Sequence, residues 1–369
     1  MLHIGFDVRL ITDKMSGIGG YAYNLYRHLR ESANLQVTFF DDDYFGGSDF
    51  CRIPSRGRRK IAYMIWLNAK FPRILREAGV EVLHSPNFVP PFWGKIPAVV
   101  TFHDVGYLRY PHTHQGIYAA VFPSFANAAA EKAKIIIAPS ESTRREILHF
   151  YPRVKSKVRV IYEGANENFR VIEDNTELNH LREKYRLPER FILCVGTLEP
   201  RKNLERFIAA YRIWIEKNPG QKVKLILCGK SWVRHKSFLD FLQNSGVKDK
   251  IVLTGYVPSE EIAGIYNLAE ALGFPSYYEG FGLPAVEAMN CGLPVIASNV
   301  YSLPEVLGEA AAYFDPFSTD EMVKALDLVL KNAEERQRLR ELGLQRAKLF
   351  SWKKAAEMTE QVYFEAADT

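Results

Sequence analysis

Two glutamates, Glu279 and Glu287, stand in the run PSYYEGFGLPAVEAMNCGLPVIAS from Pro275 to Ser298, and the residues between them decide what the pair can do. Ala271–Phe274 reads as the end of a strand, Tyr277–Leu283 as an aromatic, glycine-rich turn, and Pro284–Cys291 as a helix. Gly292 stops that helix and Val295–Ala297 begins the next strand. Proline suits a first helical position because the N–H it lacks would have had no helical acceptor. Glycine suits the left-handed residue past a helix end. Because Gly280, Gly282 and Pro284 interrupt the chain, the two carboxylates need not lie along one axis and can face a ligand from two sides. The amides at Gly282 and Leu283 have no helical partner and can bind an anion, helped by the helix dipole. Amides for phosphate and carboxylates for sugar hydroxyls are what a nucleotide-sugar site needs. Acidic residues placed only to complement the dipole would explain Glu287. They would not explain two glycines and an apolar turn beside Glu279.

Other residues carry chemistry at strand ends. In CVGTLEPRKNLERFIAAY, Gly196, Arg201 and Lys202 follow the strand Phe191–Val195 and precede a helix that Asn203 can start. Two cations beside a helix N-terminus form a site for a diphosphate, although a surface arginine is the plainer account of Arg201. His103 closes the strand Ala98–Phe102, where a side chain of a central parallel strand points into the ligand crevice. Asp104 can simply cap the loop, and His112 and His114 fit either an acceptor side or a plain loop.

Near the N-terminus, Gly17, Gly19 and Ala22 satisfy the G-x-G-x-x-G/A pattern, with Asp41 at a distance suited to a ribose. This supports a rival reading, an NAD-dependent oxidoreductase. Against it, residues 7–16 separate the strand from the glycines, whereas a dinucleotide turn follows its strand directly. Asp41–Asp43 suggests a D-x-D metal motif, but it reads better as an exposed turn after a second strand. Arg52, Arg56, Arg58, Arg59 and Lys60 precede an aromatic-rich helix, Ile61–Ala78, which either touches an anionic bilayer surface or is an ordinary buried amphipathic helix.

These positions need a scaffold. A chain of 369 residues is long enough for two domains, and its 47% hydrophobic and 25% charged residues are those of a globular protein. Short β-branched runs alternate with helical segments, which argues for an α/β protein with parallel sheets and crossover helices. The first half offers strands at His3–Phe6, Val37–Phe40, Val82–His84, Ala98–Phe102, Ile135–Ala138 and Val158–Ile161. The second offers Phe191–Val195, Leu225–Cys228, Ile251–Leu253, Leu272–Phe274, Val295–Ala297 and Ala311–Phe314. Glu163–Arg186 is polar and short of apolar periodicity, so the linker falls there. Phe350-Ser351-Trp352 introduces a last helix, with Ser351 a good N-cap. No apolar run approaches membrane-spanning length, and Asp7 and Arg9 interrupt the first apolar stretch, which predicts a cytoplasmic protein. Four scattered cysteines, Cys51, Cys194, Cys228 and Cys291, read as reduced and structural, and a net charge of +5 does not indicate nucleic acid.

The spacing Glu-x7-Glu in EGFGLPAVE, followed by AMNCGLPVIAS, resembles the retaining glycosyltransferases of family 4, and TLEPRKN with IYEGANENF is similar to bacterial mannosyltransferases of polysaccharide assembly. The resemblance implies a GT-B fold: two Rossmann-like, doubly wound domains facing across a cleft. Residues 1–168, joined by the last helix 352–369, would form the acceptor-side domain, and 169–351 the nucleotide-sugar domain. It implies a lysine at Lys202 for the diphosphate and an active-site histidine at His103. It also implies a glycine loop at Gly17 and Gly19 near the donor phosphates or acceptor, and a nucleobase pocket at Gly229, Lys230 and Gly255–Val257, where Tyr256 can pack on a base. The family often has an arginine directly after the first glycine, where this chain has Thr197, so Arg201 becomes the candidate for the second charge. The implied reaction moves a hexose, first mannose from GDP-mannose, to a glycan or polyprenyl-linked acceptor with retention, without a metal or other cofactor. Glu279 would hold sugar hydroxyls and Glu287 the ribose. UDP- and dTDP-sugars stay open as donors, as does a GT-B sugar-nucleotide epimerase and peripheral contact with the inner face of the membrane.

Overall fold

The computed structural model describes residues 1–8, 17–40, 65–110, 117–230 and 235–368. The chain forms two compact units, one of residues 1–163 and 351–369 and one of residues 164–350. Each is built around a six-stranded parallel sheet.

In the first unit the strands are β1 (Leu2–Asp7), β2 (Leu35–Phe40), β3 (Val82–Ser85), β4 (Ala98–Thr101), β5 (Ile135–Ala138) and β6 (Val158–Val160), in the order β2-β1-β3-β4-β5-β6. Every residue of β3, β4 and β5 is buried, because parallel strands are covered by crossover helices on both faces. The last helix, Trp352–Ala367, packs on the helix Gly17–Leu29 and on β3 and β4. Its attachment is partly polar: the Tyr363 hydroxyl lies 2.6 Å from His84 Nδ1, and the other ring nitrogen of His84 is 3.0 Å from Thr101 Oγ1. Trp352 meets the ring of Tyr21 edge-on. Ser351 precedes this helix in an extended conformation, but its side chain makes no capping bond, contrary to expectation. Trp352, the first residue of the helix, is buried.

The second unit holds β7 (Phe191–Val195), β8 (Lys224–Cys228), β9 (Ile251–Gly255), β10 (Ala271–Phe274), β11 (Val295–Ser298) and β12 (Ala311–Phe314), in the order β12-β11-β10-β7-β8-β9. Successive strand residues point to opposite faces. Leu193, Ile226, Leu272 and Val295 accordingly enter one core, and Ile192, Leu225, Leu227 and Ile296 the other. Helices Leu204–Lys217 and Thr319–Lys331 cover the second face.

Three expectations change. The glycine pattern, which reads as a loop opening a helix at Tyr21–Glu31, is itself helical: the first helix begins at Gly17, so Gly17 and Gly19 lie within its first turn. The segment assigned to a linker contains a helix, Asn175–Lys184, with Asp174 accepting from the Thr176 amide as its N-cap. Only Leu178 and Leu181 of that helix are buried, too few to show a period, and they pack on Gly264 of the helix Ser259–Leu268. The described part of the Ile61–Ala78 segment is a π-helical turn, Trp66–Lys70, running into an α-helix, Phe71–Glu77. Asp41–Asp43, the basic residues 52–60, Cys51, His112 and His114 lie outside the described residues.

Candidate active site

In the second unit β7 and β10 are neighbours, yet the chain leaves β7 toward β8 and leaves β10 toward β11. The loops after them therefore diverge and open a crevice at the carboxyl ends of the strands, where α/β sheets bind ligands. Arg201 and Lys202 come from the loop after β7, and Glu279 from the loop after β10.

These three side chains meet. Lys202 Nζ donates to Glu279 Oε1 at 2.7 Å, and Arg201 Nη1 donates to Glu279 Oε2 at 2.9 Å. Arg201 also reaches the Tyr278 carbonyl at 2.8 Å and pairs with Glu199 at 2.7 Å. Burial alone would raise the Glu279 carboxyl, but Arg201 and Lys202 outweigh it and hold it at about 2. Burial draws the Lys202 ammonium below its usual value while Glu279 opposes that shift. The Lys202 ammonium also lies over the ring of Phe274. A carboxylate has about four lone-pair sites, so Glu279 can still accept from a ligand hydroxyl while holding both cations.

The loop that presents Glu279 is pinned from several sides. The Tyr277 amide donates to the Arg201 carbonyl at 2.9 Å. The buried Ser302 hydroxyl lies 2.9 Å from the Glu279 carbonyl and 3.0 Å from that of Phe281. Gly282 then turns the chain into the helix Leu283–Asn290 with φ of 103°. A Cβ there would come within 2.9 Å of Leu303 Cδ2, so both conformation and space require glycine. The first amides of that helix, at Gly282 and Leu283, stand at its dipole-positive end.

Glu287 lies one turn further along and accepts from the Tyr266 hydroxyl at 2.8 Å. Burial pushes its carboxyl up to about 7, with the tyrosine hydrogen bond opposing. Tyr256 follows β9 and is 38% exposed, with the Lys230 ammonium 4.9 Å from its ring centre. That exposed face suits stacking.

The remaining expected residues belong to the first unit. His103 lies just past β4, largely buried, with Nε2 2.9 Å from the Pro86 carbonyl and Nδ1 3.2 Å from Glu163 Oε1. Asp104 accepts from the Gly106 amide, the capping role open to it from sequence. Gly17 and Gly19 sit at the start of the helix Gly17–Leu29. No group of three or more His, Cys, Asp or Glu residues able to hold a metal occurs among the described residues.

Sequence reasoning missed Ser302, Glu199, Tyr266 and Glu163. Ser302 follows β11 at the same edge of the sheet as Glu279, and that position is the only signal it carries. Tyr266 stands inside an apolar segment where nothing marks it, and Glu163 lies in the run IYEGANENF, where the resemblance marks the run but not this residue's partner.

Residues 177–346 match the family model of glycosyl transferases group 1, and residues 15–169 match that of glycosyltransferase family 4. The chain is 30% identical to O-antigen chain mannosyltransferase B of Escherichia coli, over 98% of this chain and 99% of that protein. Among solved structures it resembles sucrose-phosphate synthase from Thermosynechococcus elongatus, with a TM-score of 0.76, 21% identity and 99% of each chain covered. It also resembles WaaG, a glycosyltransferase involved in lipopolysaccharide biosynthesis, with a TM-score of 0.74, 16% identity, and 97% of this chain and 99% of that one covered. Two parallel doubly wound units, crossing cations and carboxylate at a sheet switch point, and these likenesses agree: the chain is a GT-B glycosyltransferase and belongs to family 4.

Proposed function

We propose that this glycosyltransferase moves mannose from GDP-mannose to a hydroxyl of a growing glycan or polyprenyl-linked oligosaccharide, with retention at the anomeric carbon and without a divalent metal. The observation that carries the reading is the meeting of Lys202 and the partly buried Arg201 on the buried Glu279 carboxylate at the β7/β10 switch point. Departure of a nucleoside diphosphate develops negative charge on its phosphates. Fixed cations in a water-poor crevice stabilise that charge without reorganising, and they can do so in place of a metal ion. Lys202, Arg201 and the amides of Gly282 and Leu283 take this role. Glu279 accepts hydroxyls of the transferred sugar while remaining paired with both cations, and Glu287 accepts the ribose hydroxyls. Tyr256 offers its exposed face to the base, and Gly17 and Gly19 present amides to donor phosphate or acceptor. His103 orients the transferred sugar.

Retention through a double displacement would need a nucleophilic carboxylate beside the anomeric carbon. Glu279 is held ionised but tied to two cations, which leaves it suited to hydrogen bonding and poorly suited to attack. A front-face route, in which the acceptor enters on the side the diphosphate leaves, is the one these groups support. Mannose rests on the mannosyltransferase among the relatives, and a role in O-antigen or related polysaccharide synthesis rests on the same likeness. No helix among the described residues is long and apolar enough to cross a membrane. An enzyme working on a lipid-linked acceptor would then meet the bilayer from its cytoplasmic side by peripheral contact.

The test is incubation of purified protein with GDP-mannose and a mannose-terminated acceptor, with and without EDTA, and assignment of the product anomer by NMR. An α-mannoside formed equally in EDTA supports the reading. Inversion, a metal requirement, or turnover only with UDP- or dTDP-sugars each overturns the corresponding part. Conversion of donor without acceptor would indicate an epimerase.

A further inference from the structure

The two ring nitrogens of His103 face acceptors of different kinds. The Pro86 carbonyl, 2.9 Å from Nε2, can only accept, so Nε2 carries a proton. Glu163, 3.2 Å from Nδ1, presents a carboxylate oxygen, and its side chain is only 5% exposed. A buried carboxylate beside an imidazole is satisfied best when Nδ1 also carries a proton. From this geometry we infer that Glu163 is a positioning residue which holds His103 as an imidazolium with its ring plane fixed and both N–H groups spent on the protein.

The surroundings agree. Burial alone would lower the His103 value, but the Glu163 hydrogen bond and charge, the Pro86 carbonyl and Asp104 outweigh it, and the net shift is upward. Tyr21 packs edge-on against the ring with centroids 4.6 Å apart, and its hydroxyl is turned away to Thr101 at 3.0 Å. His84, the remaining titratable neighbour, is fully buried and held neutral, so it adds no second positive charge. His84, Tyr21, Asp104, Glu163 and the Pro86 carbonyl are the groups whose charge or hydrogen bonding bears on His103.

The consequence for the reaction rests on the proposed transfer. An imidazolium with no free N–H acts on the sugar or its leaving group through fixed positive charge and its C–H edge, not by donating a hydrogen bond or a proton. Glu163 is also the last residue of the first unit, immediately before Gly164 opens the second.

Nitrogen-15 NMR of the histidine rings in the full chain tests this without any donor. His103→Asn identifies the His103 signals among the nine histidines. The expected spectrum at pH 7.5 has both His103 nitrogens protonated. In Glu163→Gln the ring should deprotonate at a pH lower by about one unit or more, the scale of a lost charge partner, and Glu163→Asp should restore part of the shift. In the transfer assay Glu163→Gln should lower kcat more than it changes KM, with a steeper loss at high pH. A singly protonated His103 ring at pH 7.5 in the wild-type protein overturns the inference, whether or not Glu163→Gln folds. So does a Glu163→Gln titration identical to wild type. Neither readout depends on GDP-mannose being the donor, so failure of the proposed reaction remains separate.

Discussion

Lys202 Nζ lies 2.7 Å from Glu279 Oε1, across 77 positions of sequence and two adjacent strands, and Arg201 closes on the other oxygen of the same carboxylate. The two glutamates of the Glu-x7-Glu spacing have different partners. Glu279 is a firmly ionised anion between cations, whereas Glu287 sits beside a tyrosine hydroxyl and titrates near neutrality.

The cation pair predicts a separation of stability from activity. Lys202→Ala leaves Glu279 paired with Arg201, so its melting temperature should change little. Its kcat/KM should fall by about 100-fold or more, the scale of losing one electrostatic donor. Glu279→Ala instead leaves Arg201 and Lys202 crowded without their shared counter-ion, and it should cost about 3–5 kcal/mol. Thermal melts and steady-state rates on the two variants check this. Equal stability losses, or an active Lys202→Ala enzyme, would contradict it.

Glu287 predicts a stability gain at the expense of function. Its folded value of about 7 lies above the ordinary 4.5, so between those pH values the folded chain binds more protons than the unfolded chain. Stability from this group is then present below about pH 4.5 and declines as pH rises to 7. Glu287→Gln removes the ionisation, and its amide oxygen can still accept from Tyr266. The variant should be more stable than wild type at pH 8 by about 1–3 kcal/mol, read as a higher melting temperature, with the difference vanishing near pH 4.5. Donor binding by calorimetry should weaken, since ribose hydroxyls lose an anionic acceptor. A lower melting temperature at pH 8 would count against the buried-acid account.

His84 works with the opposite sign. Burial, with His103 adding to it, lowers the imidazole to about 3. The unfolded chain takes up this proton near pH 6.5, so stability is lost as pH falls below that value. Tyr363→Phe leaves His84 Nδ1 without its partner on the last helix. The expected loss is about 1–3 kcal/mol at pH 7.5, read as a lower melting temperature of the first unit. His84→Gln should flatten the decline in stability between pH 6.5 and 4.5. An unchanged decline would remove His84 from the acid response.

Much of this was legible in the residues. All twelve strands follow from β-branched runs bounded by turn residues, because buried parallel strands leave a continuous apolar signature. Arg201, Lys202 and Glu279 were visible because loops after central strands gather at one edge. What stayed hidden depends on distance in sequence. The helix Asn175–Lys184 buries only two leucines, so its period is too short to read. Glu199 looks like an ordinary loop acid until Arg201 is seen between it and Glu279. Ser302 and Glu163 act 23 and 60 residues from the groups they hold, and neither has a spacing that announces the bond.

The strand-end glycines give the sharpest steric prediction. Gly196 and Gly229 end neighbouring strands β7 and β8, and the Gly196 amide donates to the Cys228 carbonyl at 2.9 Å. Gly229 has φ of 153°, and a Cβ placed on it would lie 1.9 Å from the Gly196 carbonyl oxygen. That neighbour is backbone, so no side-chain rotation relieves the overlap. Gly229→Ala must therefore push β7 and β8 apart at the edge from which Lys202 approaches, since a Cβ placed on Gly196 would lie 3.2 Å from Lys202 Cε. The strain should cost about 3 kcal/mol or more, and any folded variant should bind donor more weakly because the cation pair is displaced. Gly220, whose added Cβ meets nothing within 4 Å, is the control: Gly220→Ala should leave melting temperature and turnover near wild type. Equal behaviour of the two variants would mean that close approach at this sheet edge does not hold the site.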